Sequence, residues 1–474
     1  MSFNSLQFIA LLVLVVLLYW RLRLKGQNRL LLIASYVFYG WWDWRFLILL
    51  AATTVVDFGI GIRIEEAGGE RSKRAWLISQ LAFNLGILAF FKYAGFFVDS
   101  AEHVARAIGL GWSSQALSII LPVGISFFVF HEISYAVDIY RGRLDAERRL
   151  STYALFIAYF PLLAAGPIER AWHLLPQLRT ERQRPTKEQA YSGIVLIVSG
   201  IFKKVVIADT VAKVSNDVFG RTSGRGTIPL AIGAVAFAIQ IYCDFAGYTD
   251  VARGTSRLLG IEVFRNFESP YLSTNITQFW RTWHISLSSW LHDYLYIPLG
   301  GNKGGRFGTY RNLIIVMLLG GLWHGAAWTF VIWGALHGIA LALHRARGAY
   351  EPRGTPPSPR WRDIPSILAT FTFVTALWVI FRSATIGDAF SFFHSMATGG
   401  LFGSNPGAWK ADLLLVGGFG ALVLVMDLLD RNRSRLRPLA VWAPAIQGAM
   451  LGAALIGILV FSGTPPEPFI YFQF

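Results

Sequence analysis

Histidine is the side chain to seek first in an apolar chain, because it accepts and returns a proton near neutral pH. His324 stands inside Gly320–Gly338, GGLWHGAAWTFVIWGALHG, with apolar arms on both sides. An ionisable group so placed is costly in a bilayer and marks a functional site by default. There it can take a proton from an acceptor hydroxyl and hand it to a leaving group. The bland alternative is a packing histidine bonded to a backbone carbonyl. The small neighbours Gly325, Ala326 and Ala327 admit another backbone or a substrate. His337 follows on the returning arm of the same hairpin, either as a partner of His324 or as a core histidine.

Upstream, NFESPYLSTNITQFWRTWHISLSSWLHDYLYIPLGGNKGG (Asn266–Gly305) is amphipathic and rich in aromatics. It places Trp280, Arg281, His284, His292, Asp293 and Tyr294 close together in sequence, which reads as interfacial helices bordering a polar pocket. Asp244 and Asp250 flank the end of the preceding apolar helix, in YCDFAGYTD. His131-Glu132 lies in another apolar span, where it lines a cavity or, as favoured here, braces two helices. Arg253, Arg257, Arg265, Arg281, Lys303, Arg306 and Arg311 form a basic zone suited to donor phosphates or, residue by residue more simply, to lipid headgroups. GGNKGG lacks the Ser/Thr and preceding strand of a phosphate loop. No His pair has zinc-ligand spacing, so no metal is expected. The lone Cys243 excludes an internal disulfide.

The elements that must hold these residues are membrane helices. Of 474 residues, 54% are hydrophobic and 15% charged, with mean hydropathy +0.47. Soluble domains carry roughly 25% charged residues. The net charge of +15 suits basic cytoplasmic loops better than a nucleic-acid partner. Leu6–Trp20 precedes its charges, Arg21 to Lys25, the reverse of a signal peptide, so it reads as a retained first helix. Further helical stretches include Phe46–Ile62, Ala75–Phe91, Ile119–Val137, Ile228–Ala246, Ala326–Leu343, Ile364–Phe381, Leu413–Leu429 and Val441–Phe461. Several stretches are too short to span unless tilted. Trp41-Trp42-Asp43-Trp44 suits an interfacial turn.

Basic segments at Arg21–Arg29, Arg63–Arg74, Arg141–Arg149, Arg170–Lys187, Arg345–Arg362 and Arg431–Arg437 fall on one side of the membrane, the cytoplasmic side by the positive-inside rule. Both termini are then outside the cytoplasm. Lys203-Lys204 breaks the pattern, so their helix is displaced or they line an internal cavity. Tyr153–Arg170 starts and ends on the cytoplasmic side, and its Ala165-Gly166-Pro167 turn suits a re-entrant segment. With no repeat, and only Pro352–Pro359 as a linker, residues 1–474 read as a single domain.

ITQFWRTWHISLSSWLHDYLYIPLGG, YRNLIIVMLLGGLWHG and WGALHG together resemble the membrane-bound O-acyltransferase family, in its alginate O-acetyltransferase-like branch. LPVGISFFVFHEISYAVDIYRG, FPLLAAGPIERA, GIFKKVVIAD and the terminal FIYFQF agree. The resemblance implies an all-α membrane fold, a ring of about 11–12 tilted transmembrane helices with re-entrant and interfacial helices around a central tunnel. It matches His324 to the family's essential histidine and His284 to its second polar position. Trp323, Trp280, Arg281, Asp293, Tyr294 and His337 are then expected around the substrate; His292 stands where the family often has arginine, which weakens a role for Asp293 in pairing with an anionic donor.

The implied activity passes acetyl groups from acetyl-CoA or another cytoplasmic acyl thioester across a bacterial inner membrane. The implied product is an O-acetylated extracytoplasmic polysaccharide of alginate or cellulose type. A periplasmic or membrane-anchored SGNH-like O-acetyltransferase would be the partner, and no cofactor stays bound. Peptidoglycan O-acetylation, carrier-protein-dependent D-alanyl transfer, and a non-enzymatic transporter or flippase are the alternatives.

Overall fold

A computed structural model describes residues 1–110, 120–348, 359–404, 407, 409–431, 444–463 and 467–470. Most of the linker Pro352–Pro359 and of Arg431–Arg437, the first residues of Ile119–Val137 and Val441–Phe461, and the end of FIYFQF lie outside the described residues. Among those described the chain forms helices and no strand, with one isolated bridge between Arg225 and Gly403. It divides into two compact units, Met1–Ile197 with Val251–Phe264, and Val198–Asp250 with Arg265–Phe474.

The first unit begins with α1 (Leu6–Tyr19), whose N-cap Ser5 accepts a hydrogen bond from the Phe8 amide. Phe8, Leu12, Val15 and Tyr19 are buried at helical spacing, while Val13, Leu14 and Leu17 stay more than half exposed. An apolar exposed face on an apolar helix is what lipid contact requires. Then come α2 (Leu24–Gly40), α3 (Arg45–Glu66), α4 (Glu70–Leu88), α5 (Ala94–Ala107), α6 (Ile125–Tyr140) and α7 (Leu150–Ala158). Trp41, Trp42 and Trp44, between α2 and α3, are exposed, as an interfacial turn demands.

The suspected re-entrant stretch is broken. α7 stops before Tyr159, the single turn α8 (Phe160–Leu163) follows, and irregular backbone runs to α9 (Ala171–Arg179). Residues 159–170 are buried, the condition under which irregular backbone survives at membrane depth. A Cβ at Gly166 would lie 2.4 Å from the Leu162 Cα, so the turn needs glycine. The helix α10 (Lys187–Phe202) leads out of this unit.

The second unit opens on a π-helical stretch, Lys203–Ala208, followed by α11 (Asp209–Gly220) and most of α12 (Thr227–Leu258). Lys203 pairs with Asp250 at 2.7 Å, and Lys204 with Asp209 at 2.9 Å and Asp244 at 3.0 Å. The two lysines that break the charge pattern are therefore internal and neutralised. Short helices α13 (Ile276–Thr282) and α14 (Ile285–Leu291) precede the hairpin of α15 (Gly305–His324) and α16 (Trp328–Ala346). After these come α17 (Ile364–Arg382), α18 (Ile386–Thr398), α19 (Trp409–Arg431) and α20 (Pro444–Phe461).

Among the described residues, five helical segments are long and apolar enough to cross a membrane: 45–66, 70–107, 227–258, 361–382 and 409–431. Two shorter apolar helices, 6–19 and 447–461, accompany them. The chain is a multi-pass, all-helical membrane protein.

Candidate active site

The hairpin decides where His324 sits. α15 and α16 cross with almost no side chain between them: a Cβ on Gly321 would stand 2.2 Å from the Phe330 carbonyl oxygen, and one on Gly334 2.2 Å from that of Met317. Small residues bring the backbones together, as membrane helix packing favours. His324 is the last residue of α15, and Gly325 continues in extended conformation. Gly325 itself faces the Phe330 ring, which leaves 2.1 Å for a Cβ. The small residues thus serve the turn and the helix contact, and His324 is left at the apex.

Four rings surround it. Those of Trp323, Trp333 and Phe381 stand edge-on to His324 at 5.0, 5.3 and 5.4 Å between centroids, and His284 at 6.4 Å. His324 is 4% exposed and His284 is fully buried.

His284 arrives through a strained corner. With φ 43° and ψ 54°, it and Ser269 are the two non-glycine residues in the left-handed region among the described residues. α13 starts on the Asn275 side chain, which accepts from the Gln278 amide, and ends at Trp283, buried against Phe279, Phe267 and Trp378. The chain then turns through His284 into α14. A strap at Asn266 holds the corner: its carbonyl accepts from the Ile285 amide at 2.9 Å and its side chain from the Ser286 hydroxyl at 2.6 Å. Left-handed conformation in a bulky residue persists only where the surroundings over-determine it, and such residues cluster at functional sites. The imidazole lies edge-on to Phe245 at 4.6 Å and to Trp323 at 5.8 Å.

His337 lies one layer away. Its Nδ1 accepts from the Trp280 indole at 3.2 Å, which places its proton on Nε2. No hydrogen-bond partner for Nε2 is found among the described residues. Trp333 contacts both histidines, at 5.3 Å from His324 and 4.7 Å from His337.

The expected site residues thus divide. His324, His284 and Trp323 form one cluster, with His337 and Trp280 joined to it through Trp333. Arg281 is half-buried on α13. Asp293 and Tyr294 belong to the π-helical turn His292–Tyr296, where Asp293 bonds His292 Nδ1 at 2.8 Å and Tyr294 packs on Trp290. Trp333, Phe381 and Phe245 were not foreseen; a buried aromatic in an apolar helix carries no mark distinguishing site from core. Among the described residues no three His, Cys, Asp or Glu side chains are grouped to hold a metal ion.

In the first unit, His131 Nε2 accepts from the Glu169 amide at 3.0 Å, a brace between α6 and the broken segment. Of the basic zone, Arg257 bonds Ser192 and Glu262. In the second unit Arg265 pairs with Glu268.

A family model described as MBOAT, membrane-bound O-acyltransferase family, matches residues 149–382. A probable alginate O-acetylase of Pseudomonas aeruginosa is 43% identical over 84% of this chain and 75% of its own length. Another, from Azotobacter vinelandii, is 44% identical over 80% of this chain and 74% of its own. A peptidoglycan O-acetyltransferase of Helicobacter pylori is 36% identical over 77% and 73%.

Proposed function

This chain belongs to the membrane-bound O-acyltransferase family, and from that premise we propose that His324 is the base with which it passes acetyl groups across the membrane for O-acetylation of an extracytoplasmic polysaccharide. The convergence of two buried histidines, His324 and His284, inside an aromatic enclosure is the observation that carries the reading.

An acyl thioester, acetyl-CoA or an acylated carrier protein, enters from the cytoplasm. His324 takes the proton of the acceptor hydroxyl as that oxygen attacks the thioester carbonyl. The carbonyl electron pair moves onto oxygen, where the His284 ring or the Trp323 indole is near enough to the base to serve as donor. Collapse of the tetrahedral species breaks the C–S bond, and the thiolate leaves with the proton returned by His324. Trp323, Trp333 and Phe381 exclude water, which would otherwise hydrolyse the thioester.

The alginate O-acetylases at 43–44% identity support a uronate-type polysaccharide as the final acceptor. The Helicobacter relative keeps peptidoglycan as a second reading. We further take residues 1–474 as one membrane domain, set in the bacterial inner membrane with both termini outside the cytoplasm. An SGNH-like O-acetyltransferase then completes delivery to the polymer.

The test is His324→Ala, assayed for polymer acetylation with membrane insertion verified. Loss of about 10²–10⁴-fold is expected for a missing general base. Full acetylation by a correctly inserted variant overturns the assignment and favours a transporter.

A further inference from the structure

Helix α18 has 13 residues. At 1.5 Å per residue it is about 20 Å long, too short to cross a hydrocarbon core of about 30 Å. Both of its ends are nevertheless tied to segments that cross. The spanning segment 361–382 stops just before it, with only Ser383, Ala384 and Thr385 between. Beyond its other end Phe402 stacks on Trp409 at 5.5 Å between centroids, and Trp409 is the first residue of the spanning segment 409–431. Indole rings prefer the headgroup level. A helix that leaves one span at its last residue and returns to the first residue of the next lies along the membrane boundary.

Its side chains sort into three faces. Thr385 and Asp388 close the first turn as a capping box, each side chain accepting from the other's amide, at 3.1 and 3.0 Å. The face carrying Ala389 and Phe392 is buried; Phe392 stacks on Phe219 of α11 at 5.0 Å, and the Met396 carbonyl accepts from the hydroxyl of Thr227, which opens α12. Gly387, Asp388, Ser391 and Thr398 form an exposed polar face. Between the two, Ile386, Phe390, Phe393 and Ala397 fall within an arc of about 60° at 3.6 residues per turn. Ile386 is 47% exposed and Phe390 70%.

An apolar stripe set between a packed face and a polar face suits a helix lying in an interface. Water alone would leave the stripe bare, and hydrocarbon alone would swallow the Asp388 carboxylate. The stripe also runs on without a break in character. Leu401 and Phe402 extend it toward Leu413 and Leu414, which are exposed at the start of the spanning segment 409–431 and so face lipid. We propose that α18 is a lipid-binding surface, lying between headgroups and acyl chains with Ile386, Phe390 and Leu401 inserted among the chains. The anchor is fixed to the last turn of α17, where Phe381 stands 5.4 Å from His324, so the bilayer itself steadies one wall of the aromatic enclosure. The surface is independent of the reaction assigned to His324.

The experiment places a nitroxide at Phe390→Cys or at Ser391→Cys in the full chain, reconstituted in nanodiscs of phosphatidylethanolamine and phosphatidylglycerol. Cys243 is buried, and the unsubstituted chain serves as the labelling control. Power saturation with oxygen and with a water-soluble nickel chelate reads the depth of each label. The Phe390 label is expected about 5–10 Å below the headgroups, met by oxygen and shielded from nickel, and the Ser391 label is expected in water. Ile386→Cys, one turn earlier, should repeat the Phe390 reading, so the result does not hang on one variant. Equal nickel access at Phe390 and Ser391 puts the stripe in water and overturns the proposal. A Phe390 label shielded from both reagents is covered by protein, another copy of this chain in the purified sample, and overturns it as well.

Discussion

At the residue scale, His284 carries two loads that substitution can separate. Its backbone is left-handed at φ 43°, and its ring lies beside His324. Asparagine tolerates that conformation better than other non-glycine residues. His284→Asn should therefore fold like wild type while acetylation falls about 10²-fold, the loss typical of one oxyanion donor. His284→Val should lose activity and also about 1–2 kcal/mol of stability, from forcing a branched residue into the left-handed region. Equal melting temperatures for the two variants would show that the corner is unstrained. His173 offers a titration outside the spanning helices. On α9 its Nδ1 meets the Glu169 carboxylate at 2.6 Å, and that bond holds its pKa above the usual 6.5. A raised folded-state value means that the stabilisation is complete below about pH 6.5 and is lost as pH rises through the raised value. The gap in melting temperature between wild type and His173→Gln should be widest near pH 6 and close as pH rises. A gap independent of pH would mean the histidine is neutral throughout.

At the element scale, the α15–α16 hairpin positions His324, the proposed base, and its glycines are the testable joints. Gly321→Ala or Gly334→Ala drives a methyl into a backbone carbonyl 2.2 Å away, with no flexible side chain to yield. Overpacking of this kind costs typically about 1–3 kcal/mol, and the splayed hairpin should lose acetylation in parallel. Gly417→Ala on α19 meets nothing within 4 Å; it should be neutral or slightly stabilising. If all three variants melt alike, close helix contact does not hold His324 in place. His324 and its small neighbour Gly325 were legible because His and Gly are conspicuous in an apolar run, whereas Gly321 and Gly334, which make the close helix contact, were not singled out. The walls of the site were not. Phe381 lies on α17 and Phe245 on α12, far from His324 in sequence, and apolar periodicity does not say which aromatic faces which neighbour. Lys203-Lys204 was legible only as an anomaly. Charge bookkeeping showed that the pair did not belong in an outer loop, but its partners Asp209, Asp244 and Asp250 come from two other helices.

For the whole molecule, spanning character follows from composition, while sidedness depends on loop charge. The positive-inside rule sets Arg63–Arg74 in the cytoplasm and the stretch around Asp99–His103 outside. The segment 70–107 between them is long and apolar enough to cross. The single cysteine, Cys243, is buried on α12 and gives a clean background for labelling. Ser72 and Ala101 are both exposed, near opposite ends of that segment. With a membrane-impermeant maleimide, Ala101→Cys should be labelled in intact cells and Ser72→Cys only after permeabilisation. The reverse pattern would invert this segment and overturn the positive-inside assignment. Labelling of both in intact cells would mean that segment 70–107 does not cross. The sidedness matters for the chemistry because a thioester made in the cytoplasm and a polymer held outside can meet only if the protein admits both. His324, the proposed meeting point, stands at the apex of a hairpin and is buried among aromatics, and the labelling result tests the positive-inside assignment on which the proposed cytoplasmic donor entry rests.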